Sequence, residues 1–161
     1  MADQTEWPAP ATVMPFLVGR ERELTTLRDA AASALAGRGS LALVGGEAGV
    51  GKTALSEAIC AEAHEHGALV LVGHCYDLAE TPPYGPWREV FDRAPRDDGL
   101  PTLPAAVLPP ERNGASLTSQ DAIARHLVTY LTALGATCPL ALLLEDLHWA
   151  DPCAGRLLCP K

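Results

Sequence analysis

The chain has 161 residues, a formal net charge of −8 and a hydrophobic fraction of 48%. This length and composition are typical of one globular domain and exclude collagen-like, mucin-like and cystine-rich chains. The chain has 20 Asp and Glu residues against 12 Lys and Arg residues. Because surfaces that bind nucleic acid carry clustered Lys and Arg, we expect no direct nucleic-acid contact from this segment.

Cysteine usage and the N-terminal residues predict a cytoplasmic protein. The five cysteines are odd in number and include no C-x-x-C pair, which favours free thiols in a reducing compartment. The N-terminal residues lack the basic region and the apolar stretch of a secretory signal. No apolar run reaches the roughly 20 residues that span a bilayer, so we expect no membrane association.

The residue pattern of the first half of the chain predicts two helices separated by a strand and a loop. Residues 1–15 contain three prolines and are predicted to be a flexible tail. Apolar residues at three- and four-residue spacing predict a helix from Glu21 to Ala36. Leu41–Val44 is predicted to be a short buried strand that leads into a glycine-rich loop. A second helix is predicted to follow the loop and to end at Gly67.

The second half of the chain is predicted to continue this alternation. Leu69–Val72 is predicted to be a buried strand, and Pro86 is expected at the first position of the next helix. Residues 95–118 are predicted to be loop, and Ser119 is predicted to cap a further helix. Leu140–Leu144 is predicted to be a third buried strand. Strands that alternate with helices predict an α/β fold with a mostly parallel sheet.

Residues 46–53, here called the phosphate loop, have the sequence GEAGVGKT and fit the pattern G-x-x-x-x-G-K-[ST] without a mismatch. The glycines of this pattern allow backbone N–H groups to surround phosphate oxygens, and the following helix dipole adds attraction. Lys52 is expected to bridge the β- and γ-phosphates, and the Thr53 hydroxyl is expected to bind Mg²⁺. The alternative is a glycine-rich turn with a surface lysine. The remaining residues expected to contact a nucleotide are Gly46, Glu47, Ala48, Gly49, Val50 and Gly51.

Two adjacent carboxylates, Glu145 and Asp146, follow the third predicted strand. The carboxyl ends of parallel strands face the ligand crevice of an α/β sheet. We expect Glu145 to hold Mg²⁺ and Asp146 to orient or deprotonate the attacking water. The alternatives are the reverse assignment of the two roles and an ordinary acidic turn.

Four segments, taken in order, resemble those of the AAA-related, STAND-type ATPase module. They are FLVGREREL at 16–24, the phosphate loop, CYDLAETPPYGPW at 75–87 and LLLEDLHWADP at 142–152. The chain is similar to the N-terminal ATPase region of large ATP-binding transcription regulators of the LuxR (LAL) type. The resemblance implies a three-layer, AAA-like P-loop NTPase fold in which residues 46–53 are the Walker A segment and 140–146 the Walker B segment. It also implies that Val18 and Arg20 contact the nucleotide.

The resemblance implies an ATP-binding regulatory module of a signal-responsive transcription regulator or similar multidomain signalling protein, with ATP and Mg²⁺ as ligands. The Glu-Asp order, where the family commonly has Asp-Asp or Asp-Glu, favours slow hydrolysis and therefore a switch. One alternative is a non-catalytic remnant or interaction module that retains the phosphate-loop pattern. A small-molecule kinase is another, although the Glu145–Asp146 pair fits it poorly.

The resemblance further predicts that residues 16–161 form only the N-terminal part of an ATPase domain, incomplete at its C-terminus. Members of the family continue with a strand that lies between the Walker A and Walker B strands, and then with a fifth strand, an arginine and a helical lid. Only fifteen residues follow Asp146. We therefore expect weak or absent ATP turnover from this chain, and we expect any self-association to belong to a longer form.

Overall fold

The structure of the chain, a computed structural model, describes residues 19–77, 84–95 and 120–150. Its elements, in order, are α1 (Glu21–Leu35), α2 (Lys52–Glu65), β1 (Leu69–His74), α3 (Gly85–Asp92), α4 (Gln120–Thr137) and β2 (Leu140–Glu145), followed by a 3₁₀ turn at Leu147–Trp149. None of the described helices is long and apolar enough to cross a membrane. The predictions for the tail 1–15, Val18, the loop 96–118 and Ser119 lie outside the described residues.

β1 and β2 pair as parallel neighbours in a two-stranded sheet. The Leu69 N–H donates to the Pro139 carbonyl at 2.8 Å, and the Cys75 N–H donates to the Glu145 carbonyl at 3.1 Å. Both pairs have the same sequence separation, so the strands run in one direction and their carboxyl ends lie side by side. The sheet contains the strands predicted at 69–72 and 140–144, and it is compatible with an α/β fold.

The strand predicted at Leu41–Val44 is not formed, and that prediction was wrong. These residues have no regular secondary structure, and the exposed fractions of Leu41 and Leu43 are 74% and 78%. Within the described part of the chain the sheet contains only β1 and β2. A strand is stabilised by hydrogen bonds to a neighbouring strand and by burial of one face. Because the described residues provide Leu41–Val44 with neither a paired strand nor a buried face, the apolar run stays irregular and exposed.

The described residues divide into two compact units. The first unit comprises residues 19–70 and 138–141, and the second comprises residues 71–77, 84–95, 120–137 and 142–150. Because each strand is divided between the units, the beginnings of β1 and β2 pair within the first unit and their carboxyl ends pair within the second.

An ion pair connects α1 with α2 in the first unit. The Arg28 guanidinium donates two hydrogen bonds to the Glu62 carboxylate, one of them from Nε at 2.8 Å. These bonds lower the pKa of Glu62 and raise the pKa of Arg28. No residue of α1, which the structure describes in full, is fully buried. The apolar face predicted for this helix is therefore only partly covered, and the polar contact contributes to its attachment.

An aromatic core lies in the second unit. Phe91 of α3 contacts Tyr130 of α4 edge-on, with ring centroids 5.6 Å apart, and it stacks with Trp87 at 6.3 Å. The Tyr130 hydroxyl donates to the Pro95 carbonyl at 2.8 Å, which satisfies the polar end of a buried side chain. Pro86 lies in the first turn of α3, as its second residue rather than the first as predicted, because the helix begins at Gly85. These contacts hold α3 against α4.

The backbone of β1 passes very close to the start of α3 at Gly73. A Cβ on Gly73 would clash with the Pro86 carbonyl oxygen and would lie 3.1 Å from Val90 Cγ2. Only glycine permits this approach between the two backbones, because any other residue would push α3 away from the strand.

We expect the substitution Gly73→Ala to lower the free energy of unfolding by about 2 kcal/mol, because the added methyl group overpacks the contact with Pro86. Urea unfolding followed by circular dichroism measures the change. Gly135→Ala on α4 is the matched control, since a Cβ there meets no atom within 4 Å and alanine favours a helix. Equal stability of the two variants would contradict the close approach.

Candidate functional site

The phosphate loop forms an exposed turn that leads directly into α2. Gly49 and Gly51 have φ angles of +78° and +86°, a left-handed conformation that glycine adopts without strain. Gly51 immediately precedes α2, and its carbonyl accepts the first helical hydrogen bond, from the Leu55 N–H. The amides of residues 52–54 therefore have no acceptor within the helix. This end of α2 has the backbone geometry of an anion-binding site.

The Lys52 side chain folds back over the phosphate loop. Its Nζ donates to the Gly46 carbonyl at 3.1 Å and to the Glu47 carbonyl at 2.8 Å. A Cβ on Gly46 would lie 3.1 Å from Val50 Cγ2, so a glycine here leaves room for the tight turn. The ammonium group is thus held beside the exposed loop. The ammonium group and the backbone N–H groups of the loop can both donate hydrogen bonds to phosphate oxygens.

The other predicted loop residues are exposed as well. Glu47, Ala48 and Val50 lie on the exposed part of the loop, and Thr53 is exposed in the first turn of α2. The Thr53 hydroxyl is therefore accessible to a ligand. The structure brings all the predicted residues of the phosphate loop together in the first unit.

Arg20 immediately precedes α1 and connects that helix to the phosphate loop. Its Nη2 donates to the Val50 carbonyl at 2.8 Å, and its Nη1 forms an ion pair with Glu23 at 2.9 Å. A backbone hydrogen bond and the bond from Arg20 together lower the pKa of Glu23. The family resemblance assigns Arg20 to nucleotide contact, and the structure adds a direct contact with the loop itself.

Glu145 and Asp146 lie at the carboxyl end of β2, where the sequence predicts them. Glu145 is the last residue of the strand, and its side chain is 14% exposed. Asp146 is exposed and has a left-handed backbone with φ of +54°. Its carbonyl accepts a hydrogen bond from the Trp149 N–H at 2.8 Å, which forms the 3₁₀ turn. The two carboxylates therefore have different surroundings, one partly enclosed and one open to solvent.

His74, the last residue of β1, lies between two carboxylates. Its Nδ1 is 2.8 Å from Glu89 Oε2, and its Nε2 is 3.4 Å from Glu145 Oε2. The His74 backbone N–H donates to the same Glu89 oxygen at 3.0 Å, and the Tyr76 hydroxyl donates to Glu89 Oε1 at 2.8 Å. Glu89, on α3, is therefore held by three hydrogen bonds from the end of β1.

These hydrogen bonds shift the pKa values of Glu89 and Tyr76 in opposite directions. Partial burial of Glu89 acts to raise its pKa, but the bonds from His74 and Tyr76 outweigh this effect, and the pKa of Glu89 is lowered. The bond to Glu89, together with slight burial, raises the pKa of Tyr76. Glu89 is accordingly an ionised acceptor at neutral pH.

The sequence analysis missed His74 and Glu89 because no short motif connects them. A signal was nevertheless present, since His74 and Glu145 come one or two residues after the ends of two predicted strands, and the carboxyl ends of parallel strands lie at one edge of a sheet. Among the residues that the structure describes, no group of three His, Cys, Asp or Glu side chains is arranged to hold a metal ion. A metal bound through Glu145 would therefore need phosphate, hydroxyl or water oxygens as further ligands.

Comparison with known proteins assigns the chain to a family. A family model described as the AAA ATPase domain matches residues 17–159, which is most of the chain. No match was found among curated proteins or among solved structures. AAA ATPase domains generally bind nucleotide and Mg²⁺, in agreement with the geometry of the phosphate loop. The chain therefore belongs to the AAA ATPase domain family and is a nucleotide-binding module of the P-loop type.

Proposed function

We propose that the chain is an ATP-binding regulatory module that binds ATP with Mg²⁺ and hydrolyses it slowly. The observation that carries the proposal is the phosphate loop. Two left-handed glycines lead into the start of α2, and the Lys52 ammonium lies beside the loop carbonyls. Backbone amides at a helix start, together with one ammonium group, are the donors that triphosphate oxygens bind.

The residues present fit ATP and its metal ion. Lys52 can exchange its two carbonyl contacts for phosphate oxygens, because its side chain already lies over the loop. The Thr53 hydroxyl and the Glu145 carboxylate are hard oxygen ligands of the kind that Mg²⁺ prefers. When bound, Mg²⁺ would neutralise part of the negative charge of the phosphates. The role of the protein is to hold the phosphates and to supply oxygen ligands around them.

The surroundings of the two strand-end carboxylates support a division of roles between them. Glu145 is partly enclosed and has a fixed neighbour in His74, which suits a metal ligand of defined orientation. Asp146 is exposed, which suits a general base that accepts a proton from water. We therefore assign metal binding to Glu145 and action on the attacking water to Asp146.

The wider role that we propose is control of a cytoplasmic, signal-responsive transcription regulator or a similar multidomain protein. The resemblance of the four sequence segments supports this role, in which Val18 and Arg20 contact the nucleotide. The acidic charge of the chain supports the view that any nucleic-acid contact lies in another region. Self-association is proposed for a longer form.

A second candidate function is a non-catalytic interaction module that retains the phosphate-loop pattern. The observation that favours it is the exposed, irregular Leu41–Val44 segment directly before the loop. A loop that is not anchored by a paired strand has more conformational freedom to lose when it binds phosphate. This cost lowers the expected affinity, and direct binding measurements distinguish the two functions.

We expect Lys52→Ala to weaken ATP binding in the presence of Mg²⁺ at least tenfold, because it removes a charge-assisted contact with phosphate. Isothermal titration calorimetry measures both affinities. Lys161→Ala is the control, since Lys161 is the only other lysine of the chain, and it should leave binding unchanged. Absence of binding by the unsubstituted chain would favour the interaction module. Rapid, Lys52-dependent turnover would contradict slow hydrolysis.

The assigned roles of the two carboxylates predict different effects of neutral substitutions. Asp146→Asn should retain ATP affinity and lower the rate of phosphate release about 100-fold, because the general base is removed. Asparagine also tolerates the left-handed backbone at this position. Glu145→Gln should instead weaken ATP binding only when Mg²⁺ is present. Binding titrations and single-turnover phosphate release check the assignment, and the opposite pattern would exchange the two roles.

We expect Arg20→Ala to increase the rate of hydrogen–deuterium exchange in residues 46–51 of the nucleotide-free protein. The reason is that the variant loses the bond to the Val50 carbonyl. Arg22→Ala, at an exposed position two residues further along the chain, is the control and should leave loop exchange unchanged. If Arg20→Ala weakens ATP binding without any change in loop exchange, the hydrogen bond from Arg20 does not stabilise the loop. Direct contact with the nucleotide would then be the remaining role proposed for Arg20.

A further inference from the structure

A continuous series of side-chain contacts runs from α3 to the end of β2. It begins at Glu89, passes through both ring nitrogens of His74 and ends at Glu145 Oε2. The two contacts of the ring measure 2.8 Å and 3.4 Å. All three residues belong to the second unit. The carboxylate proposed to hold Mg²⁺ is therefore in contact with a histidine that a second carboxylate orients.

The orientation of the His74 ring is determined by Glu89. One Glu89 oxygen accepts from the His74 backbone N–H and lies 2.8 Å from Nδ1 of the ring. The other Glu89 oxygen accepts from the Tyr76 hydroxyl. With the backbone and Nδ1 both fixed to one oxygen, the Nε2 edge of the ring is directed towards Glu145. A carboxylate that fixes one ring nitrogen in this way sets the direction of the other.

The packing of α3 sets the position of Glu89. Gly73, the neighbour of His74, allows the first turn of α3 to approach the backbone of β1. Val90, adjacent to Glu89, is fully buried. Glu89 is thus carried on a helix whose neighbouring residues are fixed by close contacts, so its carboxylate has little freedom to move away from His74.

We propose that His74 and Glu89 are positioning residues that orient the Glu145 carboxylate for Mg²⁺. The inference rests on the proposed function, because it requires Glu145 to be a metal ligand. His74 engages one oxygen of this carboxylate, and a carboxylate has a second oxygen with which to bind a metal or a metal-bound water. Groups that orient a metal ligand typically contribute 10- to 100-fold to metal affinity. Neither residue touches the nucleotide in this scheme.

The test compares ATP affinity with Mg²⁺ and ATP affinity with EDTA, both measured by isothermal titration calorimetry on the complete chain. The ratio of the two affinities is the metal-dependent gain. We expect His74→Phe to lower this gain about tenfold and to leave the affinity in EDTA unchanged. His74→Gln should recover part of the gain, because its amide N–H is able to donate to the Glu145 carboxylate. Glu89→Gln should lower the gain by less than His74→Phe does.

Two exposed residues provide matched controls. His126→Gln on α4 and Glu57→Gln on α2 make the same chemical changes at exposed positions, and both should leave the metal-dependent gain unchanged. A His74→Phe variant that loses affinity equally with Mg²⁺ and with EDTA would show a purely structural role and overturn the proposal. An unchanged gain in folded His74→Phe would overturn it as well, while the proposed function would stand.

A spectroscopic measurement without nucleotide tests the contacts themselves. The ¹⁵N chemical shifts of the His74 ring should move at Nδ1 in Glu89→Gln and at Nε2 in Glu145→Gln. Shifts that do not respond to Glu145→Gln would overturn the proposal even if the variants bind ATP as expected. Absence of ATP binding by the unsubstituted chain would overturn the proposed function and the positioning role together, a result distinct from the loss of the His74 effect alone.

Discussion

The parallel register between β1 and β2 is the constraint on which the chemistry at the strand ends depends. The hydrogen bond from the Cys75 N–H to the Glu145 carbonyl aligns the last residues of the two strands, and this alignment brings the His74 ring within 3.4 Å of the Glu145 carboxylate. Because side chains alternate between the faces of a sheet, a register shift of one residue would turn Glu145 to the opposite face. The contact between the two side chains therefore depends on the observed register.

The same contact also depends on the core of the second unit. Phe91 packs against Tyr130 and Trp87, and this cluster fixes α3, which carries Glu89. Because Gly73 has no Cβ, α3 can lie directly against β1. Apolar packing thus determines where a charged group lies, and the charged group in turn orients an imidazole. Polar contacts of this kind have a defined geometry because the surrounding packing leaves few alternatives.

Local sequence patterns predicted most of the described helices and strands and the position of the phosphate loop. Apolar periodicity and terminal glycines identify α1 and α2, since helix formation depends mainly on residues close in sequence. The strand at Leu41–Val44 was predicted wrongly because an apolar run becomes a strand only beside a partner, and a local pattern contains no information about that partner. The contact between His74 and Glu89 was missed for a related reason. It depends on the close approach at Gly73, which is a tertiary contact.

The distribution of charge explains why a divalent cation is central to the proposed function. The chain is acidic and has only two lysines, one of which is Lys52. Glu89, Glu145 and Asp146 add three carboxylates around the ends of the strands, and the His74 ring lies between the first two. A triphosphate brought to such carboxylates would be repelled by them. In the proposed function, Mg²⁺ would offset that repulsion, because a divalent cation attracts carboxylate and phosphate oxygens alike. The proposed role of Glu145 would therefore depend on the direction of its carboxylate as well as on its charge, and the His74 ring 3.4 Å away is the neighbour placed to set that direction.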